Sequence, residues 1–193
     1  MEIPKLLKAC GSRKGLELGV AKGEFSAWLL RNHDFEVFYA VDPWRRQKNY
    51  IDGNNIELGK VDMYSITQKN LKKWKEKVVM LKMTSTEARS HFENNSLDFI
   101  YLDARHDYCA VKEDIQTYWP VLKVGGIFSG HDYVWKDKAH TPRTDWTVCA
   151  NGSRIVGSVK RAADEFAKQY NLSLKITGEN RISNNPSWLL QKT

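Results

Sequence analysis

The stretch that decides the fold runs from residue 97 to residue 132 and reads LDFIYLDARHDYCAVKEDIQTYWPVLKVGGIFSGHD. It begins with the apolar run LDFIYLDA at 97–104 and ends with GGIFSGHD at 125–132, and each run has the composition of a buried strand. Between them, residues 108–119 place apolar side chains at helical spacing. A strand, a helix and a second strand in this order predict two parallel neighbours joined by a crossover helix.

The alternation of strand and helix continues outward from this unit. Toward the N-terminus, apolar runs and amphipathic periodicity predict strands at 15–20, 36–42 and 78–83 and helices at 2–10, 24–33, 64–76 and 86–92. Toward the C-terminus, a helix at 153–170 precedes strands at 172–177 and 187–192. The turn between these last two strands is too short for a crossover helix, so they should pair antiparallel. The pattern predicts an α/β fold with helices on both faces of a mostly parallel sheet.

Length and charge limit the possible functions. The 193 residues predict a single domain spanning 1–193, and no window holds the roughly 18 uninterrupted apolar residues of a membrane span. Lys and Arg number 30 against 23 Asp and Glu, a net charge of +7. The basic residues are interleaved with acidic or apolar residues at helical spacing, which indicates solvated helix faces. A nucleic-acid partner is therefore disfavoured.

The cysteines and the N-terminal segment bear on the cellular compartment. Cys10, Cys109 and Cys149 are odd in number and lack the spacing of a zinc site, so we expect reduced thiols. The N-terminal segment has no long apolar stretch of the kind found in a secretory signal. Together these features predict a cytoplasmic protein.

Glycines and polar residues stand at the carboxyl ends of the first three predicted strands, where ligands of such sheets bind. In chain order they are Glu17 with Gly19 and Gly23, then Asp42, then Thr84 with Ser85 and Thr86. Glycines allow a sharp bend and the close approach of a ligand, and a carboxylate at the second end can accept both hydroxyls of a ribose. The hydroxyls at the third end suit a helix N-cap or a base edge. Each feature alone fits a turn or a cap, but together they favour a nucleoside ligand.

Titratable side chains crowd the ends of the next two predicted strands. The fourth end carries Asp103, Arg105 and His106, and the fifth carries His131 and Asp132. A single histidine is more often a structural residue, and buried carboxylates are rare unless they are paired. Two histidines and two aspartates at neighbouring strand ends instead predict a functional cluster.

These motifs carry a family resemblance. ELGVAKGEFS, AVDPW, TSTEA, FIYLDARHDYCAVKEDIQTYWPVLKVGG and GHDY together resemble class I S-adenosylmethionine-dependent methyltransferases, in the small stand-alone branch that includes bacterial sugar and natural-product O-methyltransferases. The resemblance implies a Rossmann-like three-layer sandwich whose seven strands have the order 3-2-1-4-5-7-6, with the last strand antiparallel. It also implies S-adenosyl-L-methionine as the cofactor.

The resemblance assigns expected roles along the strand ends. It implies that Glu17, Gly19 and Gly23 surround the amino-acid end of the cofactor and that Asp42 binds the ribose. It places Thr84, Ser85 and Thr86 near the adenine, with Pro43 and Trp44 packed on the adenine or the ribose and Asp103 close to the cofactor.

The resemblance leaves two ways of activating the acceptor open, a metal ion and a general base. Metal-dependent relatives hold a divalent ion with acidic or amide residues at the positions of Asp103, His131 and Asp132. Because Mg²⁺ prefers oxygen ligands, the histidine at 131 argues against Mg²⁺ and favours a softer metal or none. Mg²⁺ or Mn²⁺ is the divalent ion considered for this site. A hydroxyl acceptor needs a base, and His106 or His131 is the expected one, with Asp103 or Asp132 orienting the ring.

The acceptor is expected to enter through an insertion loop at 133–152 and a polar cover at 43–60. Tyr133, Trp135 and Arg143, with Arg105, are the expected acceptor-binding residues. The resemblance favours O-methylation of a small molecule, with a sugar or glycan as the first choice. The alternatives are a phenol or an amine, then a nucleic acid, or a non-enzymatic nucleoside-binding module. A homodimer is also left open.

Overall fold

The computed structural model describes residues 3–136, 141–177 and 185–193. The strands are β1 Lys14–Leu18, β2 Val37–Val41, β3 Val78–Leu81, β4 Leu97–Leu102, β5 Leu122–Gly130, β6 Lys175–Ile176 and β7 Trp188–Gln191. The helices are α1 Ile3–Ala9, α2 Glu24–Asn32, α3 Gly53–Glu57, α4 Met63–Leu71, α5 Ser85–Ala88, α6 Tyr108–Tyr118 and α7 Ser158–Gln169. Within these ranges, none of the helices is long and apolar enough to cross a membrane.

The seven strands form one sheet in the order β3-β2-β1-β4-β5-β7-β6. The first five pair in parallel, and β7 runs antiparallel to both β5 and β6. The predicted fold class and strand order are therefore confirmed. Because parallel strands share a direction, the carboxyl ends of β1 to β5 meet at one edge of the sheet.

Helices cover both faces of the sheet. Successive strand residues point to opposite faces, so Ile100 and Leu102 of β4 pack into one core with α5, α6 and α7. Phe99 and Tyr101 of the same strand pack into a second core with α1, α2 and α4. The central strands are buried on both sides, which makes the carboxyl edge a rigid support for a site.

The predicted cover at 43–60 contains a short helix that the sequence did not reveal. Helix α3 begins after Asp52, whose side chain accepts a hydrogen bond from the backbone N–H of Asn54. A helix of five residues is too short to give a readable hydrophobic period. The predicted strand at 125–132 also begins earlier, because β5 starts at Leu122.

A disulfide corrects the expectation of three reduced thiols. Cys109, at the start of α6, is bonded to Cys149, 40 residues further along the chain. Cys10 is a free, exposed thiol. The two bonded cysteines are distant in sequence and share no motif, so only the fold reveals the pair. Since disulfides persist in oxidising compartments, the cysteines no longer support a cytoplasmic location.

Candidate active site

The turn after β1 brings the backbone against the end of β4. Gly19 has a φ of +89°, and a Cβ at this position would stand 2.1 Å from the carbonyl oxygen of Asp103. Only glycine has no Cβ to make this clash and also adopts a positive φ readily. Gly23, with a φ of +75°, precedes α2. The two glycines thus hold a tight turn at the centre of the sheet edge.

Asp42 joins the ends of β1 and β2. Its Oδ2 accepts hydrogen bonds from the backbone N–H groups of Val20 and Ala21, each at 2.9 Å. Its Oδ1 accepts one from the N–H of Trp44 at 2.6 Å. Burial raises the pKa of this carboxyl, although the three backbone bonds oppose the shift. Asp42 therefore fixes the turn as well as lining a cavity.

Trp44 does not line the site as the sequence suggested. Its indole Nε1 donates to the carbonyl of Ala21 at 2.8 Å, and its ring packs edge-on against Tyr64 at 4.9 Å. The side chain is buried in the core, whereas the neighbouring Pro43 lines a cavity. Trp44 thus stabilises the turn after β1 from the side of the core.

A cavity of about 260 Å³ lies along the ends of the first four strands. Most of the residues expected at the nucleoside line it, namely Gly19, Asp42, Pro43, Thr84, Ser85, Thr86 and Asp103. Thr84 also caps α5, because its hydroxyl accepts from the N–H of Glu87 while the Glu87 carboxylate accepts from the N–H of Thr84. Asp114 of α6 adds a buried carboxyl to the same wall, and burial raises its pKa to about 7.

A second cavity of about 410 Å³ adjoins the first. The walls of both include Gly19, Ala21, Asp52, Asn54, Asp103 and His106. Glu17 lines only the second, where it accepts a hydrogen bond from the Ser26 hydroxyl. Burial raises the pKa of Glu17 to about 8. Asp103 and His106 therefore stand at the junction of two cavities.

His106 is held between carboxylates. Its Nε2 lies 3.1 Å from Oδ1 of Asp103 and 3.2 Å from Oδ2 of Asp132. Its Nδ1 lies 2.8 Å from the hydroxyl of Tyr50 and 3.7 Å from Oδ2 of Asp52. Burial lowers the pKa of His106, but the three carboxylates outweigh it and raise the pKa well above its usual value. At neutral pH the ring therefore holds its proton, which argues against the expected base role.

His131 has a different environment. Its Nδ1 lies 3.3 Å from Oδ2 of Asp132 and 3.7 Å from Oδ1 of Asp103. Its Nε2 makes no hydrogen bond within the described ranges, and the residue lines the larger cavity. Burial lowers the pKa of His131, but the hydrogen bond to Asp132 and the nearby carboxylates raise it overall. One ring nitrogen is thus oriented by a carboxylate while the other can meet a ligand.

Asp132 contacts both His106 and His131. It adopts a left-handed backbone conformation with a φ of +53°, and its Oδ1 accepts a hydrogen bond from the side-chain amide of Asn185. Burial would raise the pKa of Asp132, but His106 and His131 lower it well below its usual value. Asp132 is therefore the anionic partner of both rings.

The cluster does not fit a divalent ion well. Asp103, His131 and Asp132 offer ligand atoms that lie within 4.8 Å of one another. However, Nε2 of His106 is in hydrogen-bonding geometry with Oδ1 of Asp103, so the ring already takes up that oxygen. One of the three possible ligands, His131, is an imidazole, whereas Mg²⁺ prefers oxygen ligands. No step of the mechanism is therefore assigned to a metal.

Arg105 lines the smaller cavity, but its guanidinium makes its hydrogen bonds within the protein. Its Nε donates to Asp107 at 2.7 Å, and its terminal nitrogens donate to the carbonyls of Lys48 and Asn49, both at 3.1 Å. The group also stacks 4.6 Å from the ring of Tyr50. Arg105 thus ties α6 to the cover segment.

The other three expected acceptor residues lie outside both cavities. The hydroxyl of Tyr133 donates to Asp164 and accepts from Lys160 at 2.8 Å, so this side chain packs on α7. Trp135 is half exposed and Arg143 is exposed. None of the three lines either of the two cavities.

The sequence interpretation missed several residues around the histidines. Tyr50 and Asp52 come from the cover segment. Trp146, from the loop through which the acceptor is expected to enter, packs 4.4 Å from the ring of His106. The indole of Trp146 donates to Oδ2 of Asp52 at 2.9 Å. Only Asp52 gave a usable signal, since an aspartate before Gly53 is a typical N-cap.

The strand order, the glycine turn and the polar cluster at the carboxyl edge define a class I S-adenosylmethionine-dependent methyltransferase. A family model described as a methyltransferase domain matches residues 16–133. That match covers more than half of the chain, and the chain belongs to this family.

Solved structures share the fold. An O-methyltransferase from Bacillus cereus, solved in complex with SAH, aligns with a TM-score of 0.65 at 14% identity over 98% of this chain and 78% of the other. The O-methyltransferase TomG from Streptomyces achromogenes, involved in tomaymycin synthesis and solved with SAM, gives a TM-score of 0.65 at 11% identity over the same shares of the two chains. A search of curated proteins finds no match.

Proposed function

We propose that this methyltransferase methylates a hydroxyl of a small molecule and that the acceptor is a sugar or glycan. The observation that carries the proposal is the His131–Asp132 pair on the wall of the larger cavity, next to the junction with the smaller one. An oriented imidazole is the group that a hydroxyl acceptor needs. The O-methyltransferases among the structural neighbours support the same chemistry.

In this proposal the cofactor occupies the smaller cavity and reaches into the larger one. The adenine and ribose lie along Asp42, Pro43 and the 84–86 turn. The amino-acid end lies toward Glu17 and Gly19. A buried Glu17 whose pKa is raised to about 8 suits a cationic ammonium, because the ammonium would stabilise the carboxylate form. The sulfonium then lies near Asp103.

Methyl transfer is an in-line displacement in which the acceptor must be aligned. The cofactor, held along the residues of the smaller cavity, would supply the methyl group: the acceptor oxygen would displace it, and the electron pair of the carbon–sulfur bond would stay on the sulfur of the neutral product SAH. Nε2 of His131 takes the hydroxyl proton while Asp132 stabilises the imidazolium that forms. Solvent then removes that proton.

The walls of the larger cavity suit a sugar. The aromatic residues Phe25 and Trp146 and the amide residues Asn54 and Asn185 are among those that line it. Apolar surface with a few polar groups is typical of small-molecule sites, and a sugar combines an apolar ring face with hydroxyls.

The first experiment is calorimetric titration with SAH, followed by transfer of radiolabelled methyl groups to panels of sugars, nucleotide sugars, phenols and amines. We expect micromolar SAH binding and methylation confined to hydroxyls of the sugar panels. Trp135→Ala is the matched control, because this tryptophan lines neither cavity. Turnover of phenols or amines alone would contradict the acceptor assignment, and absence of SAH binding would contradict the cofactor placement.

The pH dependence of turnover tests the base. A base must be neutral to act, so the rate should rise with pH as His131 loses its proton. Because its carboxylate neighbours raise the pKa of His131, the midpoint in kcat/KM should lie above about 6.5, the ordinary histidine value. Asp132→Asn removes one carboxylate and should move the midpoint downward. His91→Gln, at an exposed position, should leave the profile unchanged, and a midpoint that Asp132→Asn does not move would contradict the assignment.

A further inference from the structure

We propose that the ring of His106 takes the place of a divalent cation between Asp103 and Asp132, so that methyl transfer by this protein needs no metal. This inference rests on the proposed function for its role in catalysis. Nε2 of His106 lies 3.1 Å from the carboxylate of Asp103 and 3.2 Å from that of Asp132. Nε2 of His106 is in hydrogen-bonding geometry with Oδ1 of Asp103. An ion bound to Nε2 would have to lie in the direction that this oxygen already occupies.

The surroundings lock the ring in this position. On its other edge, Nδ1 lies 2.8 Å from the hydroxyl of Tyr50, and the ring packs 4.4 Å from Trp146. These neighbours are themselves held, since Arg105 stacks on Tyr50 at 4.6 Å and the Trp146 indole donates to Asp52 at 2.9 Å. Nine-tenths of the His106 side chain is buried. Displacing the ring would break contacts on every side, which opposes binding of an ion in its place.

The role assigned to His106 is positioning. Two carboxylates beside a reacting centre repel each other unless a cation or a hydrogen-bond donor lies between them. By holding Asp103 and Asp132 together, the ring keeps Asp132 aligned with His131, whose Nδ1 lies 3.3 Å away. A divalent ion would align the same two carboxylates in a metal-dependent enzyme. His106 supplies that alignment from within the chain.

The test measures Mn²⁺ binding by calorimetry and by the EPR signal of free Mn²⁺, with SAH binding as the check of folding. We expect wild type to bind no Mn²⁺ at concentrations where His106→Ala binds it, with an affinity at least about tenfold higher in the variant, a typical size for changes around a metal site. A double variant, His106→Ala with Asp132→Asn, should lose that binding. EDTA should leave wild-type turnover unchanged, and Mn²⁺ should restore part of the turnover that His106→Ala loses.

Three outcomes would overturn the inference. The first is Mn²⁺ binding by wild type that is lost in His106→Ala, which would make His106 a ligand. The second is a His106→Ala variant that binds SAH but no Mn²⁺, and the third is loss of wild-type turnover in EDTA. If His106→Ala fails to fold, His106→Gln keeps an N–H donor and should exclude Mn²⁺ as wild type does. Because Mn²⁺ binding needs no acceptor, a wrong acceptor assignment leaves this readout intact.

Discussion

Replacing His131 by alanine is expected to lower kcat by about 10³-fold, within the range of general base catalysis by a positioned side chain. The residue lines the larger cavity, and its Nδ1 lies 3.3 Å from Oδ2 of Asp132. Alanine removes the proton acceptor, and His106 does not replace it because that ring holds its own proton between carboxylates. The affinity for SAH should stay close to that of wild type, because the nucleoside cavity does not include His131.

His91→Ala is the control for this experiment, because His91 is exposed. Added imidazole should restore part of the rate of His131→Ala and none of the rate of a variant that has lost cofactor binding. A His131→Ala enzyme with near-normal kcat, measured with the cofactor bound, would show that another group takes the proton. The base would then have to be sought at Asp103, at the junction of the two cavities.

Replacing Cys149 by serine is expected to lower the free energy of unfolding by about 4 kcal/mol, the chain-entropy estimate for a closed loop of this length. The two cysteines that close the loop, Cys109 and Cys149, are separated by 40 positions in the sequence. For a chain of this size, such a loss should lower the melting temperature by about 10 °C. Circular dichroism of the variant, and of wild type with and without a reductant, measures both effects.

Cys10→Ser should leave the melting temperature unchanged, because Cys10 is exposed and outside the disulfide. Thiol titration should find one reactive thiol in the native protein and three after reduction. Three reactive thiols without a reductant, with a melting temperature insensitive to reduction, would contradict the bond. Reduction should also raise the KM for the acceptor, since the segment held by Cys149 carries Trp146.

The sequence predicted the fold because its signals are local and redundant. Buried parallel strands give uninterrupted apolar runs such as FIYL at 99–102, and the short connection between β6 and β7 limits the pairing of the last two strands. The same logic predicted which polar residues meet, because the ends of parallel strands share one edge. Asp103, His106, His131 and Asp132 do converge there.

The errors arose where the sequence fixes a position but not the direction of a side chain. Trp44 and Tyr133 each follow a strand end closely, yet one turns into the core and the other onto α7. Arg105 was expected to meet an acceptor and instead meets backbone carbonyls. Tyr50 sits in a polar segment without periodicity, so only the folded chain shows that it contacts His106.

The hydrogen bonds of Arg105 bear on how the rate and the acceptor preference of the enzyme should depend on pH. Arg105 donates to the backbone carbonyls of Lys48, Asn49 and Val148. Carbonyl groups do not titrate, so these bonds should persist as the pH changes. The two segments that Arg105 joins should therefore keep their shape while the proposed proton-transfer groups change state. A change of pH should therefore alter how fast acceptors are methylated and leave the order of preference among them the same.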